Sequence, residues 1–306
     1  MAAKRVPRFV QRALALVLFA SAAAALSRAQ TLPDVRTNAV RSPGNAQWAL
    51  TVEEARKRAA SEGKFLFVEF DRPGCGHCQR MDQLLYPAFD FEAFLIPMVP
   101  VKVLLESTEG KEMARRHGIK ETPAILILSP EGRLVILMEG FTTTQDFYQH
   151  ARQELDIYKA FARKVEGQDI PRLSAREAFD TGQELYQRGD SSGALPRLKR
   201  AVAAPDASVV LREDARELLA AVELDGGDTA SSRRTIQRLI GTTKDAKRRE
   251  RAELFRAQIP LSENKTEEAY ALFKKFEKDH PKSAYLPQVR ALAARLAGEA
   301  SGKPSR

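Results

Sequence analysis

The chain has 306 residues, of which 43% are hydrophobic and 29% charged, and its formal net charge is +9. This length and apolar content permit two domains with ordinary hydrophobic cores. Five basic residues and no acids lie in residues 1–29, so a charge of +4 remains on the rest of the chain. Such a small excess among many acidic residues argues against nucleic acid as a partner.

Residues 1–29 have the pattern of a secretory signal peptide. Basic residues in the first twelve positions are followed by an apolar, alanine-rich run over 13–26, and Ser27 and Ala29 occupy the −3 and −1 positions of a cleavage site. An uncleaved anchor or a transit peptide is the alternative. We expect export, to a bacterial periplasm or the medium, with no stable membrane insertion after cleavage, because no later run reaches about 18 apolar residues. Residues 30–46 are predicted to be an extended leader.

Residues 47–167 alternate between helical and strand patterns. Thr51–Glu54 is a capping-box pattern before an amphipathic helix that ends at Gly63, and the apolar run 65–70 predicts a buried strand. The further predicted elements are a helix from about 75 to 86, a short helix over 89–95, a strand over 98–105, a helix over 109–117, strands over 124–128 and 134–138, and a helix over 144–165. This order predicts an α/β domain with a central mixed sheet covered by helices.

A break at Glu166–Pro171 predicts a domain boundary, and no strand-like segment follows it. Turn signals at Gly189–Asp190, Gly227–Asp228 and Asn264–Lys265 recur at offsets of 38 and 37 residues, each before an amphipathic helix. Residues 168–300 therefore resemble tetratricopeptide-type helical repeats, and 301–306 are a tail. A partner protein would bind the concave surface that is typical of stacked repeats.

The motif Cys75-Gly-His-Cys78 holds both cysteines of the chain, so they act with each other, with another molecule or on a metal. At a helix start, the i, i+3 spacing places both sulfurs on one face within disulfide reach. The helix dipole and His77 favour a thiolate at Cys75, and Cys78 would resolve a mixed disulfide. A zinc site needs two further ligands, so we expect no metal, and Gln79 excludes the haem-attachment motif.

Val68–Phe70 followed by Cys75–Cys78 resembles the active site of the thioredoxin superfamily, in the form found in protein disulfide isomerase. His117–Leu128 and the turn Ser129–Gly132 are similar to the segment with the family's cis-proline, its next strand and its hairpin. These motifs lie within residues 47–155, and they fit bacterial periplasmic thioredoxin-like domains equally well. Gly74 departs from the family pattern, which usually has Trp before the first cysteine.

The resemblance implies a thiol–disulfide oxidoreductase that needs no cofactor and exchanges disulfides with exported client proteins and a redox donor or acceptor. Glu69 would be the buried acid that moves the proton of Cys78, the alternative being a solvated residue at the sheet edge. Pro123 would be cis, and the backbone of Thr122 would bind extended substrate. His77 predicts a reduction potential nearer the isomerase value of about −180 mV than the thioredoxin value of about −270 mV.

Two other hypotheses remain. In the first, the chain is a cell-envelope scaffold or assembly protein whose helical repeats bind a partner, and the cysteine pair is regulatory. Alternatively it is a metal chaperone that uses Cys75, Cys78 and a histidine.

Overall fold

The computed structural model describes residues 47–300. They form two compact units, 47–168 with 188–190, and 169–187 with 191–300. The expected signal peptide, leader and tail lie outside the described residues. The fold class is confirmed, because a mixed sheet with helices is followed by an all-helical region.

The first unit is built on one four-stranded sheet in the order β2-β1-β3-β4. Its strands are β1 (Phe65–Asp71), β2 (Met98–Leu104), β3 (Ala124–Leu128) and β4 (Leu134–Glu139). β1 pairs in parallel with β2 and antiparallel with β3, and β3 pairs antiparallel with β4. A parallel pair needs a long crossover connection, and this one carries two helices, α2 (Gly76–Leu84) and α3 (Phe89–Leu95).

The other helices of this unit are α1 (Val52–Glu62), α4 (Thr108–His117) and α5 (Thr144–Glu166). The start of α1 confirms the capping interaction, since the Thr51 hydroxyl accepts a hydrogen bond from the Glu54 amide at 3.1 Å. Gly63 ends the helix with φ of +62°, a conformation that favours glycine. The predicted elements are all present, with boundary differences of only a residue or two.

The two faces of β1 pack against different material. Leu66, Val68 and Phe70 point into an aliphatic core that also contains residues of α1 and α4. Phe67 points the other way into an aromatic cluster, where its ring centroid lies 6.2 Å from Trp48 and 5.9 Å from Phe91. Residues two apart in a strand share a face, so Glu69 lies on the aromatic side.

The second unit contains seven α-helices within the described residues, preceded by a 3-10 turn at Ile170–Arg172. They are α6 (Ala175–Gln187), α7 (Ser191–Ala203), α8 (Val209–Asp225), α9 (Thr229–Thr242), α10 (Ala246–Ser262), α11 (Thr266–Asp279) and α12 (Leu286–Ala300). Each helix packs against the next, and α8 also contacts α6 and α10. This arrangement is that of three helical hairpins followed by a single helix.

The turn inside each hairpin has the same backbone conformation. Gly189, Gly227 and Asn264 have φ of 83°, 82° and 57°, respectively. This left-handed conformation is open to glycine and, at small cost, to asparagine, and it reverses the chain after a helix. The repeated sequence signal therefore corresponds to a repeated turn.

None of the helices between residues 47 and 300 combines the length and the apolar character that crossing a bilayer demands.

The close approach of α4 to the end of β2 generates a stability prediction. A Cβ on Gly110 would lie 2.0 Å from the backbone oxygen of Leu104, so Gly110→Ala should lower the free energy of unfolding by about 2 kcal/mol. Trp48 is the single tryptophan, so its fluorescence during urea unfolding reports on the first unit. The exposed neighbour variant Lys111→Ala is the control, and equal stability of the two variants would contradict this packing.

Candidate active site

The two cysteines lie where β1 gives way to α2, as predicted. Cys75 is the residue that caps α2, and its Sγ accepts a hydrogen bond from the backbone N–H of Cys78 at 3.1 Å. Both residues are buried, and their sulfurs form a disulfide. On reduction, the Cys75 sulfur would face the amides and the positive dipole end of α2, both of which stabilise a thiolate.

The loop before β3 brings a second predicted part of the site to the cysteines. The Thr122–Pro123 peptide bond is cis, which confirms the prediction. The hydroxyl of Thr122 lies 3.7 Å from the Sγ of Cys75, within hydrogen-bond reach of a sulfur acceptor, and the Thr122 side chain is buried. Cys75, Thr122 and Pro123 therefore come together, although their roles toward a substrate stay predictions.

No motif in the sequence predicted the residue that holds this loop. Oε1 of Glu139, the last residue of β4, accepts hydrogen bonds from the backbone amides of Lys120 at 2.6 Å and Glu121 at 3.2 Å. The amide of Gly140 donates to the Pro123 carbonyl at 2.8 Å. The end of β4 thus anchors the cis-proline loop from both sides, and a carboxylate at a strand end was the only sequence signal for it.

His77 lies on the first turn of α2 and is exposed. Its ring centroid is 6.0 Å from that of Phe141, whose ring also faces the Arg80 guanidinium at 5.7 Å. Phe141 follows β4 in the chain, so an aromatic side chain lies beside the motif although Gly74 replaces the family's tryptophan. The effect of His77 on Cys75 stays a prediction.

Glu69 is fully buried, which confirms the interior location and contradicts the alternative of a solvated edge residue. It pairs in register with Lys102 of β2, and the Lys102 Nζ lies 3.2 Å from its Oε1. Neither carboxylate oxygen accepts a hydrogen bond of standard geometry from any residue in the described range. Burial raises the pKa of Glu69 to about 7, although Lys102 and the Tyr86 hydroxyl oppose that rise.

Lys102 is the centre of a charged cluster that no motif in the sequence predicted. Its Nζ lies 2.8 Å from Asp82 of α2 and 3.3 Å from Asp71 at the end of β1, besides the contact with Glu69. Burial alone would lower the pKa of Lys102, but the three carboxylates outweigh that effect and raise it. The ammonium therefore stays charged and partly neutralises all three acids.

Asp71 brings a carboxylate to the disulfide itself. One of its oxygens and the Sγ atoms of Cys75 and Cys78 all lie within 4.8 Å of one another. Within residues 47–300 this is the one group of three potential metal ligands. It suits a structural zinc poorly, because such a site needs four ligands, the sulfurs are bonded to each other, and Lys102 adds a positive charge 3.3 Å from Asp71.

The arrangement has the parts of a dithiol–disulfide exchange site. Cys75 can supply a nucleophilic thiolate, Cys78 a resolving thiol, and the carboxylate of Glu69 can hold or accept a proton.

The raised pKa of Glu69 predicts a pH dependence of stability. Because the folded-state pKa of about 7 lies above the usual 4.5, the folded protein binds this proton more tightly, and stability falls as the pH rises through that window. The side chain of Glu69→Gln cannot ionise. The free energy of unfolding of this variant, relative to that of wild type, should therefore increase by about 2–3 kcal/mol from about pH 5 to pH 8.

Urea unfolding of the oxidised protein, followed by Trp48 fluorescence at both pH values, measures this difference. Asp82→Asn, which removes another carboxylate contact of Lys102, is the control. A constant difference between Glu69→Gln and wild type across the range would show that Glu69 ionises normally.

The anchoring of the cis-proline loop predicts a local dynamic effect. Glu139→Ala removes the acceptor of two amides, so hydrogen exchange at Lys120 and Glu121 should accelerate at least about tenfold. Glu131→Ala, which removes an exposed carboxylate from the β3–β4 turn, should leave these two amides unchanged. Unaltered exchange in Glu139→Ala would mean that the loop is held by other contacts.

This unit is similar to known proteins. A family model described as a thioredoxin-like domain matches residues 52–154. A protein disulfide-isomerase of Ricinus communis is 28% identical over 126 residues, which are 40% of this chain and 22% of that protein. Protein disulfide isomerase-like 2-3 of Oryza sativa subsp. japonica is 28% identical over 111 residues, 36% of this chain and 24% of that protein.

The alignments therefore span less than a quarter of the length of either relative. Among solved structures, a thioredoxin from Thermus thermophilus is 25% identical, with a TM-score of 0.34, over 36% of this chain and 87% of that chain. The family match, the sheet and the position of the disulfide agree with one another. Residues 52–154 are similar to thioredoxin-like domains, and their mixed sheet with helices has the thioredoxin-like fold, with a Cys-x-x-Cys disulfide at the start of α2.

Proposed function

We propose that this protein is an exported thiol–disulfide oxidoreductase that exchanges disulfides with protein clients through Cys75 and Cys78. The observation that carries the proposal is the position of the disulfide, at a helix N-terminus and beside the cis Thr122–Pro123 bond. The names of the relatives support the same reaction class, since both are disulfide isomerases or isomerase-like proteins. Export is supported by the signal-peptide pattern of residues 1–29.

In the reducing direction, the Cys75 thiolate attacks a client disulfide and forms a mixed disulfide, while the other client sulfur leaves as a thiolate. Cys78 then loses its proton and attacks the Cys75 sulfur. The Cys75–Cys78 bond forms, the second client sulfur is released, and the client has gained two electrons. In the oxidising direction the same steps run backwards, and a client dithiol becomes a disulfide.

The side chains around the pair have distinct parts in this reaction. Thr122 and Pro123 position the extended client chain beside Cys75, and His77 stabilises its thiolate. Glu69, whose pKa is raised to about 7 by burial, accepts and returns the proton of Cys78. A carboxylate with a pKa near neutrality does both within one catalytic cycle.

A second candidate is a cell-envelope scaffold that acts mainly through its helical half. The three hairpins with equivalent left-handed turns favour it, because stacked hairpins commonly form binding surfaces for other proteins. In that case the redox pair would regulate or lock the partner. The two candidates differ in whether thiol exchange is the purpose of the protein.

Cysteine variants test the proposed reaction. Cys78→Ser should accumulate mixed disulfides with client proteins, because no resolving thiol remains, whereas Cys75→Ser should form none. Both variants should lose at least about a thousandfold of wild-type turnover in the reduction of insulin disulfides or the reoxidation of reduced ribonuclease. If a cysteine variant still binds its partner and its cellular role is unchanged, the result would favour the scaffold.

The reduction potential of Cys75–Cys78 gives the direction of electron flow. The oxidised fraction of residues 30–306 is measured in glutathione buffers of known ratio. A value near about −180 mV would fit an oxidase or isomerase, as His77 predicts, and a value near about −270 mV would fit a reductase and overturn that prediction.

A further inference from the structure

Asp71 lies at the disulfide but has no part in the exchange reaction described above. It ends β1, four residues before Cys75, and its side chain is only 21% exposed. Its carboxylate lies within 4.8 Å of both sulfurs. The position is fixed from two sides, because Oδ1 accepts the Arg72 amide at 2.6 Å and Oδ2 lies 3.3 Å from Lys102 Nζ.

A carboxylate in this position affects the oxidised and reduced pair differently. The disulfide has no charge, so the carboxylate does not repel it. Reduction creates a thiolate at Cys75, and a negative charge close by raises the free energy of that thiolate. The carboxylate therefore raises the pKa of the thiol and stabilises the disulfide relative to the dithiol.

We propose that Asp71 is a positioning residue that sets the redox balance of Cys75–Cys78, making the pair a weaker oxidant than its Cys-Gly-His-Cys motif indicates. The inference rests on the proposed function, because it concerns the same cysteine pair. It assigns to Asp71 an effect opposite to that of the helix dipole and His77, which favour the thiolate. The potential is then a balance between these two influences.

The other charged groups around Asp71 limit the size of the effect. Lys102 on β2 neutralises part of the charge of Asp71. The same lysine also contacts Glu69 on β1 and Asp82 on α2. His77 on α2 is exposed, and its ring lies beside Phe141. Tyr86, whose hydroxyl is buried near Glu69, stays neutral because burial raises its pKa well above the usual value.

The effect is measured through the exchange equilibrium between the cysteine pair and glutathione, in which electrons and protons balance. Two molecules of reduced glutathione break the Cys75–Cys78 bond, their sulfurs join as glutathione disulfide, and their two electrons and two protons pass to the protein dithiol. Below the thiol pKa the proton stays on Cys75, and above it the proton goes to solvent. The carboxylate of Asp71 destabilises the thiolate form of Cys75 more strongly than the thiol form.

Asp71→Asn tests the proposal, since it keeps the shape of the side chain and removes its charge. The equilibrium constant for reduction by glutathione should increase about tenfold, which raises the potential by about 30 mV. The pH profile of Cys75 alkylation by iodoacetamide should shift by about one unit toward lower pH. Asp71→Ser is a second variant for the case that Asp71→Asn folds poorly, and the same direction is expected.

Asp82→Asn is the matched control, because it also removes one carboxylate from Lys102 but lies outside the group of three that includes the sulfurs. It should change the equilibrium constant less than about twofold. Equal changes in Asp71→Asn and Asp82→Asn would overturn the proposal, because the effect would then belong to Lys102. A lower potential in Asp71→Asn would overturn it as well.

These measurements use the protein's own cysteine pair and no client. A wild-type protein that fails to reduce insulin and to oxidise ribonuclease, with the expected shift in Asp71→Asn, would refute the proposed function and leave this inference standing. Normal client turnover by the wild-type protein, with an unshifted potential in Asp71→Asn, would support the proposed function and refute this inference.

Discussion

The ammonium group of Lys102 allows a carboxylate to be buried inside this site. Burying a carboxylate on an aromatic face costs several kcal/mol unless the charge is paired or protonated. Glu69 meets this constraint in both ways, because Lys102 lies 3.2 Å away and the pKa of the acid is raised to about 7. The same lysine holds Asp71, which fixes a second negative charge beside the sulfurs.

Strand pairing explains why this cluster forms where it does. Parallel register places Lys102 directly opposite Glu69, and alternation along β1 puts Asp71 on the same face two residues later. The chain then turns through Pro73 and Gly74 and starts α2 at the cysteines. Glu69, Asp71 and the helix that begins at the cysteines are therefore close together in the sequence. Only the lysine comes from elsewhere.

The sequence predicted the fold well because its signals are local. The apolar run of β1, the capping residue Thr51, the Cys-x-x-Cys spacing and the glycine turns each depend on neighbours within a few positions. Burial of Glu69 and the cis bond at Pro123 followed from resemblance to a known family. The roles of Lys102, Asp71 and Glu139 depend on which residues oppose one another across strands or loops, so periodicity alone could not reveal them. A lone lysine in the apolar run of β2 was nevertheless a signal that pointed to a buried charge partner.

The recurring left-handed turns at Gly189, Gly227 and Asn264 bear on the history of the helical half. Each turn joins the two helices of one hairpin, and the helices of neighbouring hairpins also pack against each other. Such an array can grow or shrink by gene duplication and deletion without redesign of its core. Asparagine occupies the third turn, where it can adopt the left-handed conformation with little strain. Adding or removing a hairpin should therefore disturb the helical half less than a one-residue shift of β1 against β2 would disturb the first unit, where Lys102 pairs with Glu69.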